Sequence, residues 1–175
     1  MVRSRLTVEC MTAARTADTS TADATTGHAP RIDLARQAPD VYRAMIALDS
    51  AAREGLDPEL VELVLTRCSQ INHCAFCLDM HTHDARRIGV SEQKLYLLDA
   101  WNEMVGLYSD RERAALRLAE SVTRLTDDFV PDEVYLTAAE HFSDEELARL
   151  IAVIFTINAW NRIAVSTRRV PPVRR

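Results

Sequence analysis

Two cysteines and a histidine share one short segment, Cys74-Ala75-Phe76-Cys77-Leu78-Asp79-Met80-His81. Cysteines three positions apart on a helix lie on one face, close enough for a thiol pair to become a disulfide and revert. His81 stands four positions after Cys77 on that same face. It is therefore placed to take a proton from a thiol, and the thiolate is the nucleophilic form of cysteine. The pattern favours redox chemistry, with a nucleophilic thiol, a base and a second thiol within about one helical turn.

A carboxylate belongs to the same argument. Glu62 lies twelve positions before Cys74, and an unbroken helix would hold the two roughly 18 Å apart. Ser69-Gln70-Ile71-Asn72 offers a break, because Asn72 is a good N-cap and a poor helix-interior residue. The break predicts a helix from about Pro58 to Ser69 that folds back on a cysteine helix. Cys74 then sits near a helix N-terminus, where unpaired amides and the dipole favour a thiolate. Glu62 approaches His81 from the other side. In Pro58-Glu59-Leu60-Val61-Glu62-Leu63-Val64-Leu65 it stands among apolar residues that face a core, and a buried carboxylate persists only with a partner.

Glu62, the CxxC pair and His81 in this spacing resemble the AhpD-like alkylhydroperoxidase branch of the carboxymuconolactone decarboxylase family. The stretch from Arg31 to Asp49, the block from Glu62 to Gly89 and the run Ile157-Asn158-Ala159-Trp160-Asn161-Arg162 are also similar to that family, so the resemblance covers roughly residues 31–168. It implies an all-α, AhpD-like helical bundle with the CxxC at the N-terminus of a central helix. It further implies that Cys77 attacks a hydroperoxide, that Cys74 resolves the product, and that His81 and Glu62 relay the proton Cys77 loses. No bound cofactor or metal is required. Electrons would come from an external dithiol, a lipoyl-bearing carrier or another thiol protein, and members form dimers, trimers and hexamers. The best-studied members carry a histidine immediately before the second cysteine. Here that place is Phe76, which makes the pocket more apolar.

Two other classes of function fit some of these residues. A structural zinc takes four cysteine or histidine ligands, and Cys74, Cys77 and His81 would need only His73 or His83 to complete the set. The chain has no second CxxC or HxxxH pair of the usual zinc-module spacing, which weighs against a zinc-bound or redox-sensing interaction module. A lyase acting on a lactone acid, like the decarboxylases of the same family, would need neither cysteine. The cysteine pair favours the peroxidase.

Composition bounds the rest. The 175 residues suffice for one core, and 47% hydrophobic with 27% charged residues is ordinary globular usage. Four cysteines without an apolar leader suggest a reducing compartment, with Cys10 and Cys68 as bystanders. A net charge of −5 does not suggest a nucleic-acid protein, and the basic end, residues 169–175, reads as a solvated tail. Residues 1–30 are rich in Thr and Ala with few large apolar side chains and read as a disordered extension. No secretory signal and no run of eighteen apolar residues is present, so a cytoplasmic protein with no membrane partner is expected.

The segments that must position the chemistry read as helices. Pro39 opens one through Ala52, Gly89 closes the cysteine helix, and Ser91 caps the next, ending near Trp101. Ser109-Asp110-Arg111-Glu112 and Ser143-Asp144-Glu145-Glu146 are capping boxes, and Pro131 starts a short helix between them. The last helix, Leu147 to Val165, is apolar nearly all round and belongs in the centre of the fold or in a subunit interface. Near its end, Trp160 reads as a core anchor, Asn158 and Asn161 as a wet edge, and Arg162 as the partner of an acid. Phe76, Leu98, Trp101 and Trp160 are candidate walls of an apolar pocket over Cys77 that would suit an organic hydroperoxide.

Overall fold

Most of the helices start at a side-chain cap or a proline. The computed structural model describes residues 29–173, so the expected disorder of the N-terminal extension falls almost wholly outside the described residues. Helix α1, Leu34–Gln37, is capped by the Asp33 carboxylate, which accepts from the amides of Ala35 and Arg36. Helix α2, Pro39–Arg53, opens on its proline. Asp57 accepts from the amides of Glu59 and Leu60 to start α3, Pro58–Ile71, and α4, Ala75–Ile88, ends at Gly89 in the left-handed conformation (φ 104°), which glycine adopts without penalty.

Ser91 caps α5, Glu92–Leu97. The chain does not continue as one α-helix to Trp101: it tightens into a 3-10 segment, Leu98–Glu103, kinked at Ala100. Both capping boxes form, at the starts of α6, Asp110–Thr123, and α9, Asp144–Ser166. Between them lie the short α7, Leu125–Asp128, and α8, Asp132–His141, which follows Pro131. No strand occurs among the described residues; the fold is all-α.

Helix α9 lies at the centre, packed against α2, α3 and α6, while α3 also packs on α4 and α6. Leu150, Val153, Ile154 and Ile157 of α9 meet Leu60, Val64 and Leu65 of α3 and Leu118 and Ala119 of α6 in the main core. Trp160 closes this core edge-on against Tyr42, ring centroids 5.3 Å apart. By length and composition α9 is apolar enough to cross a membrane, but 50% of its most apolar window is buried inside this bundle, as expected of a core helix. A second cluster joins Leu63, Ala85, Val90, Leu95, Leu98, Trp101 and Leu116.

Two local expectations change. Asn72 ends α3 rather than starting α4, and the N-cap of α4 is Cys74 itself, whose sulfur accepts from the Cys77 amide at 3.4 Å. His73 makes the corner between them with φ 52°. Asn158 and Asn161 are buried, not at a wet edge, and Arg162 donates to the backbone and side-chain oxygens of Asn158 rather than pairing an acid.

Because Ile154 is fully buried at the meeting of four helices, Ile154→Ala should cost about 2–5 kcal/mol of unfolding free energy, read by urea denaturation. A loss below about 1 kcal/mol would mean that α9 is not the core of the domain.

Candidate active site

Helices α3 and α4 run back on one another through the Asn72–His73 corner, and that reversal brings Glu62 to His81. His81 Nδ1 lies 3.0 Å from Glu62 Oε2, both side chains buried. The other carboxylate oxygen, Oε1, accepts from Arg53 Nη1 at 3.2 Å. Arg53 in turn holds Asp49, one turn earlier on α2, through Nη2 to Oδ1 at 3.0 Å. Its Nε stands 2.9 Å from Asp49 Oδ2 but out of line for a hydrogen bond, so that half of the pairing is charge alone. The result is a largely buried polar chain, Asp49, Arg53, Glu62 and His81, carried by α2, α3 and α4.

Burial pushes the Glu62 carboxyl up, but the charge and hydrogen bond of His81, followed by those of Arg53, outweigh it and leave the group below its ordinary 4.5. An ionised carboxylate only accepts, so His81 Nδ1 must carry the proton of the shared hydrogen bond. In the neutral ring the lone pair is then on Nε2. That atom is buried and has no hydrogen-bond partner. The ring is thus held by one nitrogen and unpartnered at the other.

Cys74 and Cys77 are joined as a disulfide, their Cα atoms 5.4 Å apart. Both are almost wholly buried, at 1% and 2% exposure, in a small cluster with Ala164 of α9 against which Phe76 packs. Cys68 is the free cysteine among the described residues. Burial pushes its thiol up to about 12 despite a hydrogen bond from Thr123. Among the described residues, no three His, Cys, Asp or Glu side chains converge as a metal-binding set.

A polar knot fixes the corner that carries the cysteines. Asn72 Nδ2 is shared among the Cys68 carbonyl, Asn158 Oδ1 and Asn161 Oδ1, at 2.9–3.0 Å. Asn158 also donates to Thr123 and Asn161 to Ser69. The expected pocket wall is not assembled as one unit. Phe76 packs on both the cysteine cluster and the main core, and Trp160 is in that core. Leu98 and Trp101 lie in the second cluster, where Trp101 Nε1 donates to Glu120 at 2.8 Å. The 3-10 turn directs these two toward Leu63 and α6 rather than toward Cys77. Asp49, Arg53 and Thr123 escaped the sequence reading, and Asn72 was read only as an N-cap. The four-residue spacing of Asp49 and Arg53 on a helix was the available signal for the first two.

The profile of the carboxymuconolactone decarboxylase family matches residues 39–121, which span the polar chain and the CxxC. YdfG of Bacillus subtilis (strain 168), an uncharacterised protein, is 40% identical over 137 residues, 78% of this chain and 92% of that protein. The chain belongs to the carboxymuconolactone decarboxylase family. A solved family-like structure, ATU0492 of Agrobacterium tumefaciens, is a protein of unknown function and candidate antioxidant-defence protein of the AhpD type. It superposes with a TM-score of 0.80 at 39% identity, covering 83% of this chain and 99% of its own. The debrominase Bmp8 shares the fold at 21% identity and TM-score 0.69, over 77% of this chain and 73% of its own. Within this family architecture, the chain carries its disulfide and its buried Glu–His pair on adjacent helices.

The depressed Glu62 carboxyl sets the sign of an acid effect. Its stabilising contribution is complete above the unfolded value of about 4.5 and is lost as pH falls through the lower folded value. Melting temperature should therefore drop on acidification below pH 4.5. Glu62→Gln should lower it at neutral pH and flatten that acid limb, and parallel pH curves for the two proteins would refute the assignment.

Proposed function

We propose that this protein is a thiol-dependent peroxidase that reduces organic hydroperoxides through Cys74 and Cys77. The observation that carries the reading is the His81 ring, held by ionised Glu62 at Nδ1 and unpartnered at Nε2, one turn from a cysteine already paired with its neighbour. In the reduced state His81 Nε2 takes the Cys77 proton. The thiolate attacks the terminal peroxide oxygen, the O–O bond breaks, and the alkoxide leaves with the proton returned by His81. Cys77 is then a sulfenic acid, and Cys74 attacks its sulfur, expelling water and closing the disulfide. One hydroperoxide and two thiols give one alcohol, one water and one disulfide. Arg53 keeps Glu62 ionised, and Glu62 offsets the imidazolium charge that forms.

An external dithiol, of lipoyl type or borne by a thiol protein, reopens the disulfide by exchange. The reading needs no bound cofactor, no nucleic acid and no membrane, and it places the protein in the cytoplasm, where such reductants are maintained. The apolar surroundings of the cysteines, with Ala164 and Phe76 packed against them, suit a hydroperoxide with an organic tail. A lyase mechanism gives the disulfide no role.

Hydroperoxide consumption driven by a dithiol tests this directly. Cys77→Ser and Cys74→Ser should abolish turnover, His81→Ala should lower it about 10²-fold or more, and Glu62→Gln less severely. His83→Ala, on another face of α4, should leave it within about twofold. Wild-type protein inert toward every organic hydroperoxide, or equally active without Cys77, would overturn the reading.

We also infer that the chain is a homo-oligomer, a dimer, trimer or hexamer. Val41 and Leu48 of α2 and Phe155 of α9 are exposed large apolar residues, and a shallow groove lined by Leu48, Ala51, Ala52, Ala148 and Ala152, with Glu145 and Arg149 at its edge, runs between the same two helices. Light scattering at micromolar concentration should give a multiple of the 19.7 kDa chain; the monomer mass would contradict it.

A further inference from the structure

The C-terminal end of α9 lies against the cysteines. After α9 the chain turns through Arg168 in the left-handed conformation (φ 54°), and the Arg169 amide closes back on the Ala164 carbonyl at 2.9 Å. The same Ala164 packs against Cys74 and Cys77. The turn is braced by the N-terminal segment, where the Arg31 amide donates to Thr167 O at 2.9 Å and its guanidinium to Ser166 O at 3.1 Å. It sets the Arg169 guanidinium over the Phe76 ring, 4.2 Å from its centroid. Phe76 lies between the two cysteines in sequence and against them in space. The first residue of the basic tail is therefore seated beside the CxxC.

We propose that Arg169 is an anion-reading gate over the Cys74–Cys77 disulfide. Its guanidinium rests on Phe76 until the carboxylate of an incoming thiol takes it, and the exchange uncovers the cysteines to that thiol. A cation on an aromatic face at a half-exposed site is held weakly, whereas a guanidinium fork on a carboxylate is a charge-assisted pair of fixed geometry. The carboxylate therefore wins the arginine. The chain carries a net charge of −5, yet four of its last eight residues are arginines, so an anion is attracted to this end of the molecule and repelled by the average surface. The pair is otherwise almost sealed, at 1% and 2% exposure, so thiol exchange requires that something move.

This inference rests on Cys74 and Cys77 being a redox pair, and its chemistry is ordinary exchange. A thiolate attacks one sulfur of the disulfide, forming a mixed disulfide and releasing the other cysteine as thiolate. A second thiolate attacks the mixed disulfide and releases the remaining cysteine. The protein gains two thiols, and two small thiols become one small disulfide.

The test uses two thiols of nearly equal size and opposite character, anionic 3-mercaptopropionate and neutral 2-mercaptoethanol, at equal thiolate concentration. Opening of the disulfide in full-length protein is read by quenching, alkylation and mass, with no peroxide present. Failure of peroxide consumption therefore leaves the result intact. Wild type should open faster with mercaptopropionate. Arg169→Gln should reduce the ratio of the two rates about tenfold, the worth of one charge-assisted pair, by slowing the anion and speeding the neutral thiol. Arg169→Lys, which keeps the charge but not the fork, should keep only part of the ratio. The same ratio in wild type and the Gln variant, with both folded by circular dichroism, would overturn the gate; a native disulfide that neither thiol opens would overturn the gate and the redox reading together.

Discussion

Placing Glu62 on the buried face of α3 constrains everything around it. A carboxylate removed from water costs several kcal/mol unless opposite charge and hydrogen-bond donors replace the lost hydration. Here two helices are committed to supplying them: α2 brings Arg53 to one oxygen and α4 brings His81 to the other. Since both donors are fixed in direction, α2 and α4 cannot shift along α3 without exposing the charge. Arg53 is itself pinned by Asp49, so the polar chain ends on an acid rather than on an unpaired cation. The orientation of the His81 ring, and with it the position of the free Nε2, follows from that packing.

The second determinant is the corner between α3 and α4. A left-handed His73 and a side-chain knot from Asn72 to α9 replace the helical hydrogen bonds that stop there. Asn158 and Asn161 sit in the most apolar of the described helices because this corner needs acceptors at that point. Buried amides of this kind are tolerated only when satisfied, and they are: each finds a partner on α3 or α6. The cysteines are thereby anchored to the central helix as well as to their own.

The sequence was most legible where chemistry and local rules coincide. Capping boxes, the prolines at α2 and α3 and the Gly89 stop could be read because each acts within a few residues. The Glu62–His81 encounter was readable because a carboxylate amid Leu and Val demands a partner. What could not be read depended on long-range packing. Asn72 has the side chain of an N-cap and serves as a tether instead, since the acceptors it meets are 86 and 89 residues away. Leu98 and Trp101 have the composition of a pocket wall, but the tightening of α5 into a 3-10 turn sends them into a separate cluster. The Arg53–Glu62 pair depends on α2 packing beside α3, which no local rule reports.

Cys68 shows what the same core withholds from chemistry. With its thiol pushed up to about 12, Cys68 is almost wholly protonated at neutral pH. A protonated sulfur buried under Thr123 neither attacks nor is attacked at useful rates. Among the described cysteines, exchange therefore has a single outcome. In the proposed cycle an oxidised CxxC sulfur closes on its neighbour, because the third described cysteine, Cys68, is buried and protonated. The bundle enforces correct pairing by insulation, without having to make the right disulfide more stable than a wrong one.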